Sequence, residues 1–156
     1  MPRLDRLPEA SRKGLLALPV QANETAPFVK PSRPLAASRL ALVTTAGLHR
    51  RSDTLFNPGE QTFRVLPIDT PAGEIVQSHT SIGFDRTALL RDLNVTFPID
   101  RLRELVASGV LGGLTPSAYS FMGALRDVAK LEGESGPAVA RRLRDEGAEV
   151  ALLTPT

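Results

Sequence analysis

The chain has 156 residues, 42% hydrophobic and 23% charged, which suits one domain with one core and contains no unbroken apolar run of about 18 residues such as a membrane span needs. Its net charge of +2 comes from the N-terminal 40 residues, and one Tyr, six Phe and no Trp leave little for base stacking, so a nucleic-acid partner is not expected. With no cysteine and only His49 and His79 as histidines, disulfides, thiolate chemistry and a Cys- or His-rich metal site are excluded within these residues, and no metal is expected.

The first 38 residues read as a Pro-rich lead-in: Pro2, Pro8, Pro19, Pro27, Pro31 and Pro34 interrupt any long helix, and only Ser11–Leu18 suits a short helical turn. Met1 to Leu18 mixes charges with short apolar groups and lacks a signal-peptide h-region, which makes the cytoplasm the expected location. The domain proper is expected over 39–156. Leu40–Thr44 is a short apolar run ending at Ala46-Gly47, as a buried strand feeding a turn does. Thr62–Leu66 alternates like an edge or half-buried strand, and Glu74–Gln77 suits a further short one. Asp100 is placed to cap a helix through Ala107, with Gly109 as its stop. Val110–Leu114 reads as a short strand. Pro116 and Ser117 then open a helix carrying Phe121, Met122, Leu125, Val128 and Ala129 at helical spacing, ending at Gly133. Gly136-Pro137 starts another helix, with Val139, Ala140 and Leu143 inward and Gly147 as stop. Val150–Leu153 is a continuous apolar run, the pattern of a strand covered on both faces. The sum is an α/β fold with a mostly parallel sheet covered by helices, Rossmann-like or doubly wound, with a last strand that lacks the covering helix usual in such folds.

In open parallel sheets ligands collect at the carboxyl ends of the strands. Three segments should converge there: Thr44–His49, Thr115–Ser120 and Thr154–Thr156. The second is expected to open a helix whose N-terminal amides favour a small carboxylate. The competing reading is that Thr44, Thr45, Thr115 and Ser117 serve turns and caps, as these residue types most often do. His49, just before Arg50-Arg51, stands equally as a surface histidine, and His79, within Ser78-His79-Thr80-Ser81, equally as an ordinary hydrogen-bonded loop residue. Phe121 and Met122 fit a core better than a site. Neither a dinucleotide fingerprint nor a P-loop occurs, and no Ser–His–Asp order stands out.

The wording of several segments adds to this. Asp92-Leu93-Asn94-Val95-Thr96-Phe97-Pro98-Ile99-Asp100-Arg101-Leu102-Arg103-Glu104-Leu105, Gly109–Gly112 and Tyr119-Ser120-Phe121-Met122-Gly123 resemble the selenoprotein B family of glycine, sarcosine and betaine reductases and D-proline reductase. So do Leu42–His49, Arg64–Pro67, Ser78-His79 and Gly147–Pro155. The likeness runs from about Arg39 to Thr156 and is strongest to the D-proline reductase branch. It implies an oxidoreductase subunit that cleaves a C–N bond reductively on a small amino acid or amine. It also implies a thiol electron donor and a partner subunit whose pyruvoyl group captures the substrate amine, with no cofactor in this chain. The substrate-site candidates are His49, His79, Tyr119, Ser120 and Thr154. In the family a selenocysteine or cysteine follows an ending like Leu152-Leu153-Thr154-Pro155-Thr156, so the redox residue is expected immediately after Thr156, at a recoded UGA codon, and no catalytic residue is expected within the chain. Two other classes of function fit the same residues: a non-catalytic module binding a small carboxylate or a partner, and an isomerase or hydrolase acting through His49 or His79.

Overall fold

The structure, a computed structural model, describes residues 3–17, 29–81 and 86–155. Leu18, Pro2, Pro19, Pro27, Ile82–Asp85 and Thr156 therefore lie outside the described residues. Contacts divide the chain into Met1–Lys30 and Pro31–Thr156. Within the first unit, helix α1 spans Glu9–Leu16, with Glu9 paired to Arg12 and Lys13 one turn on, and it has no buried side chain. The division falls between Lys30 and Pro31. Residues 31–38 belong with the second unit, where Ser38 is buried and the carbonyl of Leu35 accepts from Gly112 N at 2.9 Å.

The second unit is built on β1, Arg39–Thr44. Its Leu40 pairs with both Leu114 and Val150, and its Val43 with both Tyr119 and Leu153. One side of β1 is thus taken throughout by β7, Val150–Thr154. The other side is shared by β5, Gly113–Leu114, and β6, Ser117–Phe121. All three run parallel to β1. Thr115-Pro116 separates β5 from β6, and Pro116 has no N–H to continue the ladder. Outside β6 lies β3, Phe63–Pro67, antiparallel to it. A two-stranded ribbon, β2 (Leu48–Arg50) against β4 (Ile75–Gln77), sits beside the main sheet. The remaining helices are α2, Arg86–Arg91, α3, Ile99–Ala107, and α4, Gly136–Asp145. None of the described helices is long and apolar enough to cross a membrane.

Strand alternation sorts the core into two layers. Leu40, Leu42, Leu66 and Ala118 face one way and pack with Phe97, Ile99, Leu102 and Leu111, on and around α3. Val43, Val65, Phe63, Tyr119 and Phe121 face the other way and pack with Val139 and Leu143 of α4. Helices therefore cover both faces of a mostly parallel sheet, the α/β architecture expected. Both helices end at glycines in the left-handed region, Gly109 (φ 74°) and Gly147 (φ 75°), where a Cβ would be strained.

Four expectations need correction. Ser117–Phe121 is a strand, not a helix opening: Ala118, Tyr119, Ser120 and Phe121 are all buried because helices cover both faces. The anion site expected at that helix N-terminus falls with it. Gly133 lies inside a π-type turn, Leu131–Ser135, that leads into α4. Asp100 sits in the first turn of α3 without capping it, since Pro98 holds the cap position. Finally, β7 is covered on one face only: Val150 and Leu152 pack on the α3 layer, whereas Ala151 and Leu153 (67% exposed) face outward. Among the described residues no strand pairs with the outer edge of β7.

Candidate functional site

The parallel register aligns three hydroxyl side chains across the carboxyl ends of the strands. Thr44 of β1 is level with Ser120 of β6 on one side and with Thr154 of β7 on the other. Arg64 of β3 pairs with Ser120 and extends the row. Neighbouring strands lie about 4.8 Å apart, so the row is contiguous. Alternation turns Thr44, Ser120 and Thr154 to the α3 side. The expected convergence of the Thr44, Ser120 and Thr154 segments is therefore observed, while Thr115 belongs to the other end of the sheet, where its N–H donates to Leu40 O.

Each hydroxyl is engaged. Thr44 Oγ1 donates to Thr96 O (3.1 Å) and accepts from Ala46 N (3.2 Å). Thr154 Oγ1 donates to the same Thr96 carbonyl (2.9 Å), and Thr154 O accepts from Thr45 N (3.2 Å). Ser120 Oγ accepts from Leu48 N (2.8 Å) and so holds the β2 ribbon against β6. Thr96 is the hub: its carbonyl takes two threonine hydroxyls, and its own Oγ1 is buried with no hydrogen-bond partner among the described residues. The end of β7 is thereby held at Thr154 by both Thr96 and Thr45.

Both histidines are buried at 1% exposure, which removes the surface reading of His49. His49 Nδ1 lies 2.8 Å from Arg50 O, and because a carbonyl only accepts, Nδ1 carries the proton. In the neutral ring Nε2 then presents a lone pair, and it has no hydrogen-bond partner among the described residues. The ring meets Phe56 edge-on at 6.3 Å, and the Arg64 guanidinium covers the same phenyl ring at 4.2 Å. Arg64 also pairs with Glu60 at 2.8 Å. Burial alone would raise the Glu60 carboxyl, but hydrogen bonds from Thr62, Asn57 N and Arg64 together hold it at about 2. His79 has the opposite tautomer: Ser81 N donates to its Nδ1 (3.1 Å), so a neutral ring carries its proton on Nε2. Burial, and then the Arg86 charge, push its pKa below the usual histidine value. Arg86 donates a hydrogen bond to His79 O.

Gly47 joins these parts. Its N–H donates to Phe121 O (2.9 Å) and its carbonyl accepts from Ser78 N (3.0 Å). At φ +64°, a Cβ there would come within 3.1 Å of His79 N and 3.2 Å of His79 Cα. Only glycine lets the His79 loop lie this close to the turn after β1.

Tyr119 does not join this group. Adjacent to Ser120 on an extended strand, it points to the α4 face, where its hydroxyl donates to Glu146 Oε1 (2.6 Å) and its ring packs on Phe63. Burial and the Glu146 bond push its pKa up to about 12. Sequence reasoning did not single out Thr96 or Arg64 as site residues. The signal for Arg64 is its alternation with Phe63 and Val65; Thr96 acts through a carbonyl, which any residue possesses, so nothing in its identity marks it.

These features define a class: an open, mostly parallel α/β sheet whose polar groups gather at the strand carboxyl ends, where such sheets hold ligands. The family follows from comparison with known proteins. The chain belongs to the glycine/sarcosine/betaine reductase selenoprotein B family, whose model matches residues 15–156. It is 40% identical over 116 residues to the D-proline reductase subunit gamma of Acetoanaerobium sticklandii, covering 74% of this chain and 47% of that protein. It is 27% identical over 122 residues to the sarcosine reductase complex component B subunit beta of Peptoclostridium acidaminophilum (76% and 28% covered). It is 27% identical over 145 residues to the glycine reductase complex component B subunit gamma of Carboxydothermus hydrogenoformans (89% and 33% covered). The chain spans about half the length, or less, of these relatives. No solved structure matches it.

Proposed function

We propose that this chain is part of a cytoplasmic reductase-complex subunit that cleaves a C–N bond in a small amino acid or amine, most like D-proline reductase. The observation that carries the reading is the pinned end of β7, in line with Ser120 and Thr44 at the carboxyl edge of the sheet, within a chain of this family. The 156 residues contain no cysteine, so the selenol or thiol that such cleavage needs is carried by a residue outside them. A residue following β7 would leave from a point held by Thr45 and Thr96, and such a fixed origin aligns a nucleophile with its target carbon. In the net reaction the C–N bond breaks, carbon and nitrogen each gain one hydrogen, and a dithiol supplies both electrons and both protons as it becomes a disulfide.

A pyruvoyl group on a partner subunit would supply the carbonyl that captures the substrate amine. The residues here suit the remaining task of holding the substrate. His49 offers a buried lone pair, and His79, kept neutral by burial, stands in the loop that packs on the turn after β1. A neutral His79 adds no positive charge that would repel the substrate ammonium.

The test is turnover. The chain, carried on through the codons that follow Thr156, is assembled with its partner subunits and given a dithiol and D-proline, glycine, sarcosine or betaine in turn. Ring-opened or deaminated product with stoichiometric disulfide is expected from one of them. No product from any, or full turnover with the 156 residues alone, overturns the reading.

A further inference from the structure

We propose that the cleft between the β2–β4 ribbon and α2 is a docking site for an acidic amphipathic segment of a partner subunit; this rests on the reading that the chain works within a multi-subunit complex. The cleft has a volume of about 700 Å³. That suits an occupant much larger than glycine or proline, since clefts of a few hundred Å³ already enclose drug-sized ligands. Its floor is apolar: Ile75 and Leu89 pack onto the main core from below, while Leu90 stands 84% exposed on the short helix. Arg51, Arg86 and Arg91 are the charged residues of the lining, and no Asp or Glu lines it.

The arginines decide the chemistry of the occupant. Elsewhere in this unit Arg50, Arg64, Arg101 and Arg103 each sit on a carboxylate within one helical turn of sequence. The three in the cleft have no such partner among the described residues: Arg51 reaches only the carbonyl of Gly73 (3.3 Å) and Arg86 that of His79. Three like charges around an apolar floor repel one another, and carboxylates flanking apolar side chains relieve that repulsion while covering Leu90. Arginine's planar fork suits such carboxylates. A segment lodged there also lies against Arg86, whose other contact is the His79 loop, so docking and the candidate site share one residue.

The experiment uses the full-length protein and a fluorescein-labelled peptide with Leu and Glu at helical spacing, alongside its twin with Lys in place of Glu. The Glu peptide is expected to bind, to weaken as salt rises, and to lose roughly tenfold or more in affinity to Arg51→Glu/Arg91→Glu, the scale of a lost charge-assisted contact. The charge-swapped protein should in turn gain affinity for the Lys peptide, a gain that misfolding cannot produce. Leu90→Asp should weaken the Glu peptide as well. Equal binding of both peptides, or indifference to the charge swap, overturns the proposal. So does displacement of the peptide by millimolar glycine or D-proline, which would make a small carboxylate the occupant, or self-association that depends on Arg51 and Arg91, which would make it a second copy. No turnover enters these measurements, so a failed reductase assay with charge-dependent peptide binding removes the functional reading and leaves the docking site, and the converse result removes only the docking site.

Discussion

The two faces of the sheet use the same strands for different ends, and β6 shows the contrast most sharply. Ser120 and Tyr119 are neighbours, both buried, both hydroxyl-bearing. On the α3 face Ser120 falls into a row of polar groups that knit loops and strand ends together. On the α4 face Tyr119 is part of an aromatic cluster with Phe63 and Phe121, and its hydroxyl is spent on Glu146 beside the end of α4. One residue of register separates a candidate site from a packing contact.

Substitutions can break this contrast, and the largest effect should come from the apolar floor beneath the polar row. Phe97, 2% exposed, directly follows Thr96; Phe97→Ala should cost about 3–5 kcal/mol in urea unfolding and loosen the hub carbonyl with it. Tyr119→Phe should cost about 1.5–3 kcal/mol, because the Glu146 carboxylate loses its donor while its other oxygen already has no partner among the described residues. That variant should leave substrate affinity of the assembled complex unchanged. Ser120→Ala orphans the buried N–H of Leu48 and should cost about 1–3 kcal/mol, but here substrate KM should rise too, since the β2 ribbon bearing His49 is released. Equal KM for the two variants would erase the proposed difference between the faces.

The smallest effect is one of pH. His79 has a folded pKa below its ordinary 6.5, so the unfolded chain binds the extra proton first. Its contribution is complete above pH 6.5 and is lost as pH falls through the lower, folded value. Thermal melts between pH 8 and 5 should show the midpoint dropping below pH 6.5, and His79→Gln should flatten that part of the curve. Tyr119 acts at the other extreme: its contribution is complete below pH 10 and fades as pH rises toward about 12.

Much of the architecture is legible in the sequence because the pattern of apolar residues sets it. Leu40–Thr44, Thr62–Leu66 and Val150–Leu153 announce strands by their runs and alternation, and Gly109 and Gly147 mark helix ends through backbone freedom. Ser117–Phe121 misleads for a physical reason. Pro116-Ser117 has the chemistry of a helix start, and Phe121, Leu125 and Val128 happen to fall at helical spacing, yet pairing with β1 and β3 overrides both signals. Leu48–Arg50 escapes notice as a strand because three residues are too few to show a period. At the candidate site, His49, His79, Ser120 and Thr154 are readable by residue type. Their partners are backbone atoms of Arg50, Ser81, Leu48 and Thr96, which no sequence pattern exposes.

The outward side of β7 carries a practical lesson. Among the described residues the N–H and C=O groups of Ala151 and Leu153 on the outer edge of β7 pair with no strand, and such an edge is a template on which another chain can add a strand. Produced in isolation, these residues are thus prone to edge-to-edge association, and their yield will depend on whatever caps that row, whether a co-expressed neighbour or lysines placed at positions 151 and 153.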